Sequence, residues 1–253
     1  MIPPAYVISL KDDLGDQEIE LNKVGIYPRI FRGVDGRKGE YKSHEDRIGK
    51  VCKTLCPISV KSIGLSHVLL CEKIYDENLP LALIFEDDAY PVEGLHIENE
   101  INQVLSEVPQ DWDIIRLHCD MRCKDGSNYL NTISVDASAA AYIVSLKGAE
   151  NIKNMLVKGH IDLQQNKELV IYKSKRNLFW TDESSSTNRT INNASIMGSF
   201  LNWMLPPTSG EKTWNDALTY KVLRVPIIGS ELNASTLFII FVLLCVLFYY
   251  LKN

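Results

Sequence analysis

The chain has 253 residues, a formal charge of −5 and 45% apolar side chains, which is enough to bury one sizeable core. The charge argues against nucleic acid as a partner, because phosphate contacts need clustered Lys and Arg and no basic stripe stands out. Six cysteines are too few for a disulfide scaffold in a chain of this size.

Met1-Ile2-Pro3-Pro4 carries no basic segment, and the apolar run at 5–10 is too short for a secretory signal, so it predicts a first buried strand. A polar turn over 11–16 leads into a short helix through Ile19, Leu21, Val24 and Ile26, ending near Gly25. Residues 28–34 read as a second strand closed by the turn Asp35-Gly36, and 37–57 as a charged surface loop. Apolar residues at helical spacing predict a helix over 59–75, before a central strand over 81–85.

That strand runs straight into Glu86-Asp87-Asp88. Ionised carboxylates beside a core are costly unless something positive meets them. Mg²⁺ and Mn²⁺ take hard oxygen ligands, often one or two carboxylates plus a substrate's phosphates. The triplet therefore fits either a divalent-cation site for a phosphate-bearing donor or an acidic turn.

Further on, the pattern predicts an amphipathic helix over 97–108, strands over 112–117 and 139–145, a helix through Ala149, Ile152 and Leu156, and a last strand over 169–172. Alternating strands and helices favour an α/β layer fold. Residues 1–185 are expected to form one α/β domain and 186–231 a weakly patterned lobe or linker. An uncharged stretch between Glu231 and Lys252 has about the 20-residue length needed to cross a bilayer, with Tyr249 and Tyr250 as interfacial residues. It predicts a C-terminal membrane anchor over 232–251 with the domain facing the cytosol. There the acceptor patterns at Asn188, Asn193 and Asn233 stay unglycosylated and the cysteines reduced. The pairs Cys52/Cys56 and Cys119/Cys123 lack the usual zinc-ribbon spacing and read as thiols, not zinc ligands.

In this order, certain segments resemble glycosyltransferase family 25, which includes bacterial lipooligosaccharide galactosyltransferases and collagen galactosyltransferases. They are Val7-Ile8-Ser9-Leu10, Gly25-Ile26, Phe31-Arg32-Gly33-Val34-Asp35-Gly36-Arg37, Ile63-Gly64-Leu65-Ser66-His67 and Leu83-Ile84-Phe85-Glu86-Asp87-Asp88-Ala89. Trp112-Asp113, Ala141-Tyr142-Ile143-Val144-Ser145-Leu146-Lys147-Gly148-Ala149 and Asp162 complete the series.

The resemblance spans roughly 5–185. It implies a GT-A type fold with a mixed, mostly parallel central sheet, a nucleotide-sugar donor such as a UDP-hexose, and inversion at the transferred carbon. It further implies that Glu86, Asp87 and Asp88 hold Mn²⁺ or Mg²⁺, with Asp87 and Asp88 preferred and Glu86 alternatively orienting donor hydroxyls.

Asp162 is the implied base that takes the acceptor hydroxyl's proton, with a helix cap or further metal contact as alternatives. His160 is either a nitrogen ligand or a solvated loop residue. Ser9 and Ser66 are implied donor contacts, and His67 is either a donor contact from a helix surface or a packed structural histidine. Asp35 either approaches the nucleotide or shapes a turn whose backbone angles Gly36 permits.

The family commonly places an arginine after the first strand, whereas residues 11–17 here contain none, and Lys11 lacks the bidentate fork. The expected activity is transfer of a hexose, galactose or glucose, to a hydroxyl on a glycan, lipid-linked saccharide or protein. The alternative is an inactive anchored protein that keeps the fold, and a metal-dependent phosphohydrolase is a third class. Trp180, Trp203 and Trp214 are open to either sugar stacking or core packing.

Overall fold

A computed structural model describes residues 2–118, 130–132, 138–182, 221–224 and 231–233, with scattered positions from 236 to 245. In chain order the first half comprises β1 (Ala5–Ser9), α1 (Asp16–Lys23), β2 (Pro28–Arg32), two 3-10 segments (Gly36–Lys38 and Glu40–Arg47), α2 (Lys50–Leu55), α3 (Ile58–Asp76), β3 (Leu81–Glu86), β4 (Ala89–Pro91) and α4 (Ile97–Glu107). The second half comprises β5 (Ile114–Arg116), β6 (Leu130–Thr132), β7 (Ala141–Ser145), α5 (Leu146–Lys153), α6 (Ile161–Glu168), β8 (Ile171–Ser174), β9 (Phe179–Thr181), β10 (Lys221–Arg224) and β11 (Glu231–Asn233).

Seven strands form the central sheet in the order β2-β1-β3-β7-β5-β8-β6. Alternate side chains along each strand serve opposite faces. Tyr6, Ile84, Tyr142 and Val144 pack under α3 and α5 on one face. Val7, Leu83, Phe85 and Ile143 pack against Leu21 of α1 and Ile101 and Val104 of α4 on the other. Both faces are covered, so the inner strands read as nearly continuous apolar runs.

The sheet is α/β and mixed, as expected, but not mostly parallel. The β1–β2, β1–β3 and β5–β8 pairs are parallel, whereas β3–β7, β5–β7 and β6–β8 are antiparallel. The reversal arises at β7, which enters between β3 and β5 and runs against both.

Residues 37–57 are not a surface loop. Two 3-10 segments and α2 fill this stretch, burying Tyr41, Ile48 and Cys52 against the α3 side. The Gly49 amide donates to the Val157 carbonyl and the Val157 amide to the Arg47 carbonyl, so a distant segment supplies the order that local pattern lacks. Cys52 and Cys56, one helical turn apart, are joined by a disulfide, contrary to the expected free thiols. Cys119 and Cys123 lie outside the described residues, as do Trp203 and Trp214.

The anchor span at 232–251 falls mostly outside the described residues. Its first two members are corrected: Leu232 and Asn233 belong to β11 and pair with β10. Among the described residues, no helix is long and apolar enough to cross a membrane.

Trp112-Asp113 acts as a structural joint. Buried Asp113 accepts from Asn151 Nδ2 of α5 (2.8 Å) and from the Val170 amide leading into β8 (2.7 Å). Ser145 Oγ caps α5 by accepting from the Gly148 amide at 2.9 Å, and donates to the Trp112 carbonyl. A side chain at Gly148 would put its Cβ 2.0 Å from the Asp113 carbonyl oxygen. Gly148→Ala is therefore expected to destabilise the protein by about 2–3 kcal/mol despite alanine's better helix propensity, measured by urea unfolding.

Candidate active site

β1, β2, β3 and β5 run in one direction, so their carboxyl ends meet on one rim of the sheet, where α/β folds bind ligands. That rim gathers Ser9, the Gly33-Val34-Asp35 turn, Glu86-Asp87-Asp88 and the segment after Arg116.

The acid triplet is built into the frame. The Glu86 amide donates to the Ala140 carbonyl at 2.8 Å. Gln17 of α1 is buried, and its Nε2 donates to both the Glu86 and Ala89 carbonyls, at 2.7 and 2.8 Å. Ser9 Oγ donates to Asp87 Oδ2 at 3.0 Å, linking the ends of β1 and β3. The Asp182 amide donates to the Asp88 carbonyl at 2.8 Å.

His67 is fully buried in α3, as the packed structural alternative requires, and not on a helix surface. It lies 3.2 Å from Glu86 Oε1 through Nε2 and 2.9 Å from the Tyr142 hydroxyl through Nδ1. A carboxylate can only accept, so Nε2–H donates to Glu86 and Nδ1 accepts from Tyr142. Burial pushes the Tyr142 hydroxyl well up, with Cys71 and Glu86 adding to it, so the tyrosine stays a donor. Ser66 is likewise buried, its Oγ accepting from the Val34 amide at 2.9 Å and donating to the Ser62 carbonyl. Both side chains brace the rim from behind, because α3 passes beneath the ends of β2 and β3.

Asp35 is buried at the turn after β2 and accepts from the Arg37 amide and Nε. The Arg37 side chain bonded to it holds its carboxyl below the usual range. Gly36 serves this turn through close approach, not through unusual backbone angles: a Cβ there would lie 2.6 Å from Ile58 Cγ2 and Ser62 Oγ. Residues 11–17 carry no guanidinium, but Arg32 sits beside Ser9 in register and donates to the Leu10 carbonyl. The sequence alone conceals that neighbour because strand pairing creates it.

Asp162 lies in the first turn of α6, partly exposed, with Oδ1 accepting from the Leu163 amide. Fully buried Arg116 holds that helix to the sheet. Its Nη2 donates to the Asp162 carbonyl (2.9 Å), Asn166 Oδ1 (3.1 Å) and Gln165 Oε1 (3.4 Å). Desolvation pushes the Asp162 carboxyl up to about 6; His160 and Arg116 oppose the rise, and Glu86 adds to it. The strand position of Arg116 was legible in the sequence, but its role was not, because an apolar strand containing one arginine gives no sign of its partners.

Among the described residues, no three His, Cys, Asp or Glu side chains converge into a group that holds a metal ion by protein ligands alone. Asp87 and Asp88, half-buried at the end of β3, nevertheless carry hard oxygens, and Mg²⁺ or Mn²⁺ needs only one or two carboxylates when phosphates supply the rest. The donor set fits such an ion.

A sequence profile described as "Glycosyltransferase family 25 (LPS biosynthesis protein)" matches residues 2–165, more than half of the chain. A search of curated proteins finds no match. Among solved structures, A197 from STIV is 9% identical with a TM-score of 0.43, over 72% of this chain and 87% of that one. Mannose-1-phosphate geranyltransferase from Thermus thermophilus is 8% identical with a TM-score of 0.41, over 72% and 76%. A mutant of Drosophila β1,4-galactosyltransferase 7 in complex with manganese, UDP-Gal and xylobiose is 8% identical with a TM-score of 0.38, over 85% and 84%.

Proposed function

The chain belongs to glycosyltransferase family 25, and from that premise we propose that it transfers a hexose, galactose or glucose, from a UDP-sugar to an acceptor hydroxyl with inversion and with help from a divalent cation. The acceptor hydroxyl belongs to a glycan, a lipid-linked saccharide or a protein. The observation carrying this reading is the meeting of Ser9, Asp35, Glu86, Asp87 and Asp88 at the carboxyl ends of β1, β2 and β3, with Arg116 of β5 holding the turn of α6 that carries Asp162.

Asp87 and Asp88 would hold Mn²⁺ or Mg²⁺. Such an ion offsets negative charge as a diphosphate departs. Ser9 fixes the rotamer of Asp87 through its hydrogen bond, and His67 does the same for Glu86, which orients donor hydroxyls. Ser66 keeps the Val34 amide in place beneath the nucleotide side, where Asp35 and Arg32 lie.

Asp162 removes the proton from the acceptor hydroxyl as that oxygen attacks the anomeric carbon on the face opposite the diphosphate. One C–O bond forms, the C–O bond to the diphosphate breaks, and the sugar leaves inverted. A carboxyl with a pKa of about 6 is mostly ionised at pH 7 yet more basic than an ordinary aspartate, which suits a general base.

The arginine-free segment 11–17 supports a second reading, a protein that binds donor without turnover, although Arg32 supplies a guanidinium nearby. The uncharged stretch between Glu231 and Lys252 supports membrane attachment.

A thermal-shift panel of UDP-galactose and UDP-glucose with and without Mn²⁺ tests the donor site. Saturating sugar nucleotide plus Mn²⁺ is expected to raise Tm by about 5–10 °C, with either alone giving less. No shift with any sugar nucleotide, with or without the ion, sinks the donor assignment. Release of UDP on adding acceptor then separates the two readings.

A further inference from the structure

The Tyr90–Trp180 pair lies outside the chemistry above. Directly after the acid triplet, β4 pairs antiparallel with β9, with Tyr90 opposite Trp180. The two rings stack at 5.2 Å between centroids and 26° between planes. Trp180 is 47% exposed, which is unusual for the largest apolar side chain in a described, well-tethered segment. The ribbon is held at both ends. The Asp182 amide bonds the Asp88 carbonyl, the Val92 amide bonds the Leu178 carbonyl, and the Leu178 amide bonds the Leu117 carbonyl after β5. Beneath the ribbon, Phe179 packs on Phe85 at 4.8 Å. The indole is therefore open to solvent but fixed in place, with Tyr90 as its backing.

Its surroundings are polar and negative. Asp87 and Asp88 immediately precede β4 and Asp182 immediately follows β9, with the Asp182 amide bonded to the Asp88 carbonyl, so three acidic residues lie at the end of the ribbon next to the aromatic pair. A flat apolar face beside several hydrogen-bond acceptors matches a sugar ring, which offers one C–H face and a rim of hydroxyl donors. It does not match a phosphate, which these charges repel, nor an apolar ligand. The ribbon spans from the end of β3 to the end of β5, whereas Ser9, Arg32 and Asp35 lie across β1 and β2. The nucleotide side and the aromatic side thus flank Asp87 and Asp88 from opposite directions.

We infer that Trp180, stacked on Tyr90, is the platform on which a saccharide acceptor lays one ring, making this chain a transferase that elongates an existing glycan. The inference rests on the transferase reading for its purpose, but its test does not depend on turnover.

Saturation-transfer NMR on the full chain with methyl β-galactoside, methyl β-glucoside and methyl β-lactoside reads sugar binding directly. At least one glycoside is expected to receive saturation on the ring protons of one face. Trp180→Ala should weaken that signal about tenfold, and Trp180→Phe should keep part of it. Tyr90→Leu, which removes the backing ring, should weaken it less than Trp180→Ala. UDP titration should be unchanged in all three variants, which also reports an intact fold. Absence of saturation transfer to any glycoside, or equal signals in wild type and Trp180→Ala, overturns the platform. Equal loss of UDP and sugar binding in Trp180→Ala overturns it too, by assigning the ring to the nucleotide. Failure of the donor reading shows instead as absent UDP binding in the wild type.

Discussion

Asp88→Asn is expected to lower hexose transfer about a thousandfold while leaving the unfolding midpoint nearly unchanged. The substitution keeps the side chain's shape and removes its charge. The neighbouring backbone is held by groups that do not involve that charge: the Asp88 carbonyl accepts from the Asp182 amide, and Gln17 grips the carbonyls of Glu86 and Ala89. What disappears is one of two proposed cation ligands, and with it the charge that positions an ion against the leaving diphosphate. The loss should fall on kcat/KM, with the Mn²⁺ concentration for half-maximal rate rising. Initial rates across a Mn²⁺ series, set beside a urea melt, check both halves. Full activity in Asp88→Asn would remove the triplet from the mechanism.

Asp162→Asn is expected to cost about 10²–10⁴-fold in kcat, the usual worth of a positioned base. Its pH signature is more telling than its size. In the wild type, kcat/KM should fall as pH drops through about 6, where the Asp162 carboxyl takes up its proton. That acid limb should be absent from the residual activity of Asp162→Asn.

Stability should respond in the opposite sense. The folded carboxyl has a pKa raised above 3.8, so the folded state binds this proton more tightly than the unfolded chain does. The associated stability is present below pH 4 and is lost as pH rises toward and through about 6. At pH 8 the wild type carries a desolvated charge that the asparagine variant lacks. Asp162→Asn should therefore be more stable there by on the order of 1–2 kcal/mol, allowing for partial solvent access. Urea unfolding at pH 4 and pH 8 measures it, and a variant less stable at pH 8 would contradict the assigned environment of Asp162.

Period-two and period-3.6 patterns made the framework visible in the chain itself. The helix expected over 59–75 is α3 at Ile58–Asp76, and the strand over 81–85 is β3 at Leu81–Glu86. What stayed hidden was whatever depends on contacts between distant segments. Residues 37–57 looked like loop because their order comes from Val157, more than a hundred positions away. The β4–β9 ribbon was invisible because three-residue strands carry no periodicity, so only pairing reveals them. The antiparallel insertion of β7 was equally illegible, since an apolar strand reads alike in either direction.

Within the site, the acid triplet announced itself by composition. The burial of His67 did not, because a helix apolar on most sides gives little clue to which face meets a sheet. Arg32 and Arg116 were legible as residues but not as neighbours of Leu10 and α6, since strand register and helix docking create those relations.

The grip of Gln17 on two carbonyls has a thermodynamic consequence. A turn whose amide and carbonyl groups are already anchored by α1, by Ala140 before β7 and by Asp182 after β9 has little freedom left to surrender when cargo arrives. Association should then draw its entropy loss mainly from the guest. In hydrogen–deuterium exchange, the Glu86 amide should already exchange slowly before any nucleotide is added, and saturating nucleotide should slow it little further.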